Sequence, residues 1–398
     1  MKISQKLIDQ LVKAPSQYAD GRGKTITFCV TEDCNMRCKY CYLVGMGENK
    51  KKLTKEQADK NIAFIFDNPQ FFSDDVVIWE FIGGEPFIEI EIIDYMCDLL
   101  KLQMYEKRQD WFENYMFSFS TNGTLYHKSA VRSFIEKNPY HVSVGFSVDG
   151  LKELHDKNRV YKDGHGSFDD VIKNIELYKK DFSQVGTKST LSHESLPYVF
   201  ESVKFLSSLA LDINMNVVFE DVWQEGDDEI FYDQLIKTAD WLIETGKWRT
   251  QYVSLFSTYI LRRSLNEPKQ LTNNNWCGSG KMLHISTDGK LYPCTRFAPY
   301  SMQYRKDGFD VGDINNGYNY EKLEAFLNLT MVDQSSPECI DCDFDSGCAW
   351  CTGWNYDRFG SIFKRATFIC KMHKARVLAN EYYYEKLEKL YGASSDKG

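Results

Sequence analysis

From Thr25 to about residue 226 the chain switches six times between short β-rich runs and stretches of helical periodicity, and this alternation constrains the fold most. The predicted strands are TITFCVT (Thr25–Thr31), VVIWEFI (Val76–Ile82), MFSFST, VSVGFSV, KSTL and DINMNVVF. Between them lie helical stretches. Thr54, with Gln57 three residues on, reads as a capping box opening a helix to about Asn68. Further helices are expected from Ile88 to about Arg108 and over Lys128–Lys137, Phe168–Lys179 and Leu196–Leu209. Strands separated by helices must run parallel, with the helices covering the sheet. Six units fall short of a closed barrel, so the expected fold class is α/β, a partial (β/α)6 TIM-like barrel. In such folds chemistry sits on the loops after the carboxyl ends of the strands.

The rest of the chain divides around this body. Residues 1–24 read as an N-terminal amphipathic helix, because MKISQKLIDQLVKAPS lacks the continuous apolar segment of a signal peptide. The barrel spans 25–226. Helical patterning from Asp227 to about Leu265 makes 227–275 a connector. A small Cys-rich α+β region, 276–372, opens at Trp276 with the short strands MLHIST and KLYPC. The segment 373–398 holds a helix (His373 to about Tyr391) and a loose tail, GASSDKG. No apolar run approaches the ~20 residues of a membrane span, so a cytoplasmic protein with no membrane partner is expected. The net charge of −9 argues against a nucleic-acid partner, which needs a basic face.

Twelve cysteines in a cytoplasmic chain call for something other than disulfides. Cys34, Cys38 and Cys41 cluster early; Cys277, Cys294, Cys339, Cys342, Cys348, Cys351 and Cys370 fall in the last third; none lies between Cys97 and Cys277. Two metal-bearing regions are the simplest reading. CxxxCxxC directly after a strand can wrap one side of an iron–sulfur cubane. Three thiolates leave one iron open, which marks a reactive rather than a structural metal site. Alone, the trio also fits zinc or a ferredoxin-type carrier. GGEP (Gly83, Gly84, Glu85, Pro86) ends the second strand, and paired glycines let the backbone approach a ligand closely.

CNMRCKYCY after the first strand with GGEP after the second resembles the radical S-adenosylmethionine (radical SAM) superfamily, over roughly Thr25 to Phe219. The resemblance implies a 4Fe–4S cluster on Cys34, Cys38 and Cys41 whose open iron chelates S-adenosyl-L-methionine. One electron from the cluster then yields a 5′-deoxyadenosyl radical that abstracts hydrogen. It also implies Tyr40 beside the adenine and Gly83, Gly84 and Glu85 at the methionyl amino group. SVDG (Ser147–Gly150) and HDKNR ending at Arg159 resemble the stretch that contacts ribose and carboxylate, with Ser147 and Arg159 as candidates. A surface arginine is the alternative for Arg159. TNG (Thr121–Gly123) is a turn that shapes the site.

The later cysteines resemble the SPASM extension and its two auxiliary 4Fe–4S clusters, although CAWC has two intervening residues where three are typical. On spacing alone a zinc knuckle also fits. The family pattern implies a distal cluster on Cys339, Cys342, Cys348 and Cys370. Cys277, Cys294 and Cys351 would hold a proximal cluster with an open site, since PKQLTNNNW supplies no further cysteine. A substrate thiolate or a protein oxygen or nitrogen would complete it.

Enzymes of this two-part pattern mostly modify ribosomally made peptides or proteins, and VTEDCNMRCKYCY resembles the maturases of peptides with repeated Cys-x-x-x units. Hydrogen abstraction from a Cys-containing precursor peptide followed by thioether cross-linking is therefore expected. An external flavodoxin- or ferredoxin-type donor would supply electrons. About 24 residues before the first strand are too few for a winged-helix module, so leader recognition is expected to fall to another surface or to a separate leader-recognition protein. The alternatives are an anaerobic sulfatase-maturating enzyme, carbon–carbon or carbon–oxygen cross-linking, or a non-catalytic electron carrier. The sulfatase-maturating pattern has an aspartate general base after the YPC cysteine, where this chain has Thr295. Cys29 and Cys97 are expected in the core, and His284 as a satisfied core or edge histidine. Glu220 and Asp221 are second-rank substrate contacts. Tyr382, Tyr383 and Tyr384 are expected to pack on the cluster domain.

Overall fold

The computed structural model describes residues 3–12, 23–43, 51–262 and 277–392. The end of the predicted amphipathic N-terminal segment, the PKQLTNNNW stretch with Trp276, and the tail beyond Gly392 lie outside the described residues.

Strands β1 (Lys24–Thr31), β2 (Val77–Gly83), β3 (Tyr115–Thr121), β4 (Val142–Ser147), β5 (Gly186–Leu191) and β6 (Met215–Val217) are parallel neighbours in chain order. Each β–α unit delivers its next strand to the same side of the sheet, as the alternation requires. The aromatic side chains of neighbouring strands pack in a row: Phe28 on Phe81 at 5.8 Å, and Phe81 on Phe119 at 5.4 Å between ring centroids. Cys29 and Cys97 are fully buried in the core.

Among the described residues the helices longer than eight residues are α1 (Lys55–Asp67), α2 (Ile90–Lys107), α3 (Ser129–Lys137), α4 (Phe168–Asp181), α5 (Val199–Ser208), α6 (Asp227–Glu244) and α7 (Cys370–Leu387). Thr54 caps α1 by accepting the Gln57 N–H at 3.2 Å. The reciprocal half of the capping box is not made, because the Gln57 amide donates to Asn61 at 2.9 Å instead. The helix expected from Ile88 starts at Ile90, after a 3₁₀ turn at Pro86–Glu89. DINMNVVF is shorter than expected as a strand: β6 keeps three residues, while Ile213 bridges to Val253. The connector helix stops at Glu244, where Gly246 takes a left-handed φ of 69°.

The Cys-rich region is not a separate layer. Strands β7 (Leu283–Ile285), β8 (Lys290–Tyr292), β9 (Gly312–Asp313) and β10 (Gly317–Tyr318) extend the barrel sheet beyond β1, giving one ten-stranded sheet in the order β10-β9-β8-β7-β1-β2-β3-β4-β5-β6. β7 pairs parallel with β1, Ile26 opposite Leu283 and Phe28 opposite Ile285. This pairing covers the backbone groups that β1 would otherwise leave at an open edge.

α7 packs on α6: the Tyr382 hydroxyl and the Lys386 ammonium both donate to Asp240 at 2.7 Å. Tyr383 packs on Phe256 at 4.6 Å. These tyrosines thus secure the connector, not the cluster domain as expected. No helix among the described residues is long and apolar enough to cross a membrane.

Candidate active site

The three early cysteines occupy the loop leaving β1. Its entry is set by local hydrogen bonds: Asp33 N–H to Thr31 Oγ1 at 3.1 Å, then Cys34 N–H to Asp33 Oδ1 at 2.8 Å. The end of β2 lies directly against this loop, Gly84 N–H donating to Thr31 O at 3.2 Å and Glu85 N–H to Asp33 O at 3.0 Å. A Cβ on Gly83 would stand 2.4 Å from Thr31 O, and one on Gly84 2.3 Å from Asp33 O. The close approach that these glycines permit is therefore between two chain segments, the GGEP turn and the cysteine loop.

Glu85 is fully buried and turned inward. Its carboxylate accepts the Thr121 hydroxyl at 2.8 Å, the Asn122 N–H at 2.8 Å and the Phe87 N–H at 3.1 Å. Burial pushes its pKa up to about 7 despite these three donors. Asn122 then donates to Asn35 Oδ1 at 2.8 Å, and Asn35 donates to Thr124 Oγ1 at 2.8 Å. The TNG turn thus shapes the site by joining GGEP to CNMRC. Asn35, inside the cysteine motif, is a member that motif reading missed.

At the end of β4, Ser147 is half-buried and in register with Lys188. Two residues on, the buried Asp149 holds Arg159 by Nε–Oδ2 at 3.0 Å and Nη2–Oδ1 at 3.3 Å. The Tyr40 hydroxyl donates to the same carboxylate, and the Arg159 guanidinium lies over the Tyr40 ring at 5.2 Å. Arg159 is only 7% exposed, which removes the surface-arginine reading. The acid of SVDG, overlooked in the sequence, is the residue that gathers Tyr40 and Arg159.

The ten clustered cysteines form three electrostatic neighbourhoods. Burial pushes the Cys34 thiol up to about 12 and Cys38 up to about 11, and raises Cys41. Burial also raises Cys294, with Cys277 and Cys351 as its charged neighbours. It pushes Cys348 up to about 11, with Cys370, Cys339 and Cys342 around it. The later cysteines thus lie as a group of three and a group of four. Each set has a guanidinium near a thiol: Arg159 near Cys38, Arg296 near Cys351, and Arg365 donating to Cys348 Sγ at 2.7 Å. Among the described residues no three His, Cys, Asp or Glu side chains converge around a single ion.

A cavity of about 350 Å³ opens between the early loop and the Cys-rich region, lined by Tyr40, Cys41, Tyr42, Glu220, Arg296 and Trp354 among others. Glu220 and Asp221 both reach its wall, but Glu220 is engaged by Arg296. Arg296 also lies over the Tyr42 ring at 4.7 Å. A second cavity of about 260 Å³ is lined by Cys339, Cys342, Cys348 and Cys370.

Residues 28–193 match the Radical SAM superfamily. This chain is a radical SAM enzyme. It is 25% identical over 348 residues to the cysteine-type anaerobic sulfatase-maturating enzyme of Clostridium novyi, covering 80% of this chain and 83% of that one. It is 32% identical over 343 residues to the antilisterial bacteriocin subtilosin biosynthesis protein AlbA of Bacillus subtilis, covering 82% and 66%. The solved structure of native anSMEcpe with bound AdoMet and Cp18Cys peptide superposes with a TM-score of 0.68 at 18% identity, covering 93% of this chain and 99% of that one. That likeness establishes the shared fold.

A radical SAM enzyme uses a 4Fe–4S cluster and S-adenosyl-L-methionine, and the donor set here suits the cluster. Buried thiols that resist ionisation give up their protons only where metal charge replaces it. The spare histidine is a satisfied core residue. His284 in β7 is fully buried, bonds the Tyr300 hydroxyl, and is pushed down to about 3 by burial. Thr295 faces this histidine at 3.4 Å.

Proposed function

We propose that this radical SAM enzyme matures a ribosomally made, cysteine-containing precursor peptide in the cytoplasm by forming thioether cross-links. The observation that carries this reading is the cavity shared by Cys41 and Tyr42 of the early loop and by Arg296, the neighbour of Cys351. A thioether link removes one hydrogen from a carbon and one from a thiol, so one space must hold both peptide groups. Its dimensions suit a peptide side chain and its neighbours.

Bound S-adenosyl-L-methionine with the cluster on Cys34, Cys38 and Cys41 supplies hydrogen-atom abstraction. In this reading Tyr40 borders the adenine, backbone groups of Gly83 and Gly84 meet the methionyl amino group, and Ser147 lies on the ribose side. Arg159 and Glu85 act from behind, holding Tyr40 and the turn in place. Cys277, Cys294 and Cys351 hold a proximal auxiliary 4Fe–4S cluster with a position for the peptide thiolate. Cys339, Cys342, Cys348 and Cys370 hold the distal one. A flavodoxin- or ferredoxin-type donor and a separate leader-binding protein complete the system.

The relationship to a sulfatase-maturating enzyme raises the rival reading. The observation against it is Thr295, which stands where that pattern has its base and faces a buried histidine. Co-expression with a Cys-containing precursor peptide tests the proposal by mass spectrometry. The expected product lacks two hydrogens per link and resists thiol alkylation. Unchanged peptide, together with formylglycine made in a sulfatase peptide, would reverse the assignment. A cluster spectrum that shifts with the Cys peptide and not with its Ser variant is expected for the proximal site.

A further inference from the structure

The three guanidiniums beside the cysteine sets differ in one respect. Arg159 is neutralised by Asp149 and Arg296 by Glu220. Arg365 forms no carboxylate ion pair among the described residues; its Nη2 donates to Cys348 Sγ at 2.7 Å and its Nη1 to Ser335 Oγ at 3.4 Å. It is held there from two sides. The guanidinium stacks on the Trp350 ring at 4.1 Å, and the Arg365 backbone N–H donates to Gln334 O at 3.0 Å.

The brace continues toward the other late cysteine set. Gln334 is 2% exposed, and its Oε1 accepts the Trp350 indole N–H at 2.9 Å and the Thr352 hydroxyl at 3.1 Å. Thr352 Oγ1 lies 3.2 Å from Cys277 Sγ. One buried amide thus fixes residues that touch both sets.

We propose that Arg365 is a positioning residue that sets the reduction potential of the distal 4Fe–4S cluster, with Gln334 and Trp350 holding its charge against Cys348. This rests on the auxiliary-cluster reading above. Reduction adds one negative charge to a cluster, and hydrogen bonds to its sulfurs with nearby positive charge favour the reduced form. A guanidinium stays protonated at every relevant pH, so its contribution is constant. With no carboxylate paired to it among the described residues, Arg365 raises the distal potential and leaves the proximal one to Arg296 and Glu220.

The test is a redox titration followed by electron paramagnetic resonance on full-length, reconstituted protein, with dithionite as reductant. A background in which Cys34, Cys38 and Cys41 are alanine leaves only the auxiliary signals. Arg365→Gln is expected to move one signal to more negative potential and leave the other in place. Iron and sulfide content are measured on the same samples. A background without auxiliary iron overturns the cluster reading and this inference with it. Iron retained with an unshifted potential overturns this inference alone. Should Arg365→Gln lose its distal iron, Arg365→Lys is read instead, since its shorter side chain draws the charge away from Cys348. A smaller shift in the same direction then supports the role, and no shift overturns it.

Discussion

The Arg159 guanidinium and the Asp149 carboxylate form a buried two-point ion pair, Nε to Oδ2 at 3.0 Å and Nη2 to Oδ1 at 3.3 Å. Their side chains are 8% and 2% exposed. Removing one partner leaves a charge with neither water nor counter-ion. Asp149→Asn should therefore destabilise the fold by about 3–5 kcal/mol. Replacing both, Asp149→Leu with Arg159→Met, should cost less than the sum of the single changes. Urea denaturation of the four proteins checks this, and additive losses would show that the pair is not coupled.

Gly84 admits no side chain. A Cβ there would meet Asp33 O at 2.3 Å and Cys34 Cβ at 2.6 Å, and neither can retreat without moving the cysteine loop. Gly84→Ala should lower the iron bound at Cys34, Cys38 and Cys41 while the later cysteines keep theirs. Iron and sulfide assays beside a Cys34/Cys38/Cys41 alanine variant separate the two contributions. Full iron content together with S-adenosyl-L-methionine cleavage would remove the steric role assigned to this glycine.

Glu85 joins the ends of β2 and β3 through three donors, two on Oε1 and one on Oε2. A glutamine has the same shape but must turn its NH₂ toward one of those donors. Glu85→Gln should cost about 1–3 kcal/mol through the unsatisfied buried group. The loss is expected in the thermal midpoint and as faster hydrogen exchange at Asn122 and Phe87. An unchanged midpoint would mean that the site relaxes around the amide.

His155 couples stability to pH. It is fully buried, bonded to Ser167 at 3.0 Å, and pushed down to about 4 by burial first and by Arg159 second. Its folded pKa thus lies below its unfolded value, so the unfolded chain binds a proton the folded one refuses. The stabilisation is complete above the unfolded value of about 6.5 and is lost as pH falls toward 4. Between about pH 7.5 and about pH 5.5 this single histidine should remove about 1 kcal/mol of stability. Chemical denaturation of wild type and His155→Gln at both pH values checks it: the variant should show the smaller drop, and equal drops would assign the effect elsewhere.

Much of the fold was readable because its signals are local. Strand and helix periodicities in the first half reproduce β1 to β5 with small shifts at their ends, since each unit carries its own pattern and turn. The connector and final helices were legible in type, but not in what they touch. Tyr382 and Tyr383 have the same sequence signature whether they meet a cluster domain or α6, and only packing decides.

By itself, the amino-acid sequence supplied the motifs: CxxxCxxC after β1 with GGEP after β2 carries the resemblance to the radical SAM superfamily, because ligand type and spacing are written in covalent order. Only the tertiary structure decided how those motifs support one another. It paired β7 with β1, turned Glu85 toward Thr121 and Asn122, gave Arg159 to Asp149, and set Arg365 on Cys348. None of these partners is adjacent in the chain, and a charge or a carboxyl group acquires its role from the neighbours that folding brings to it.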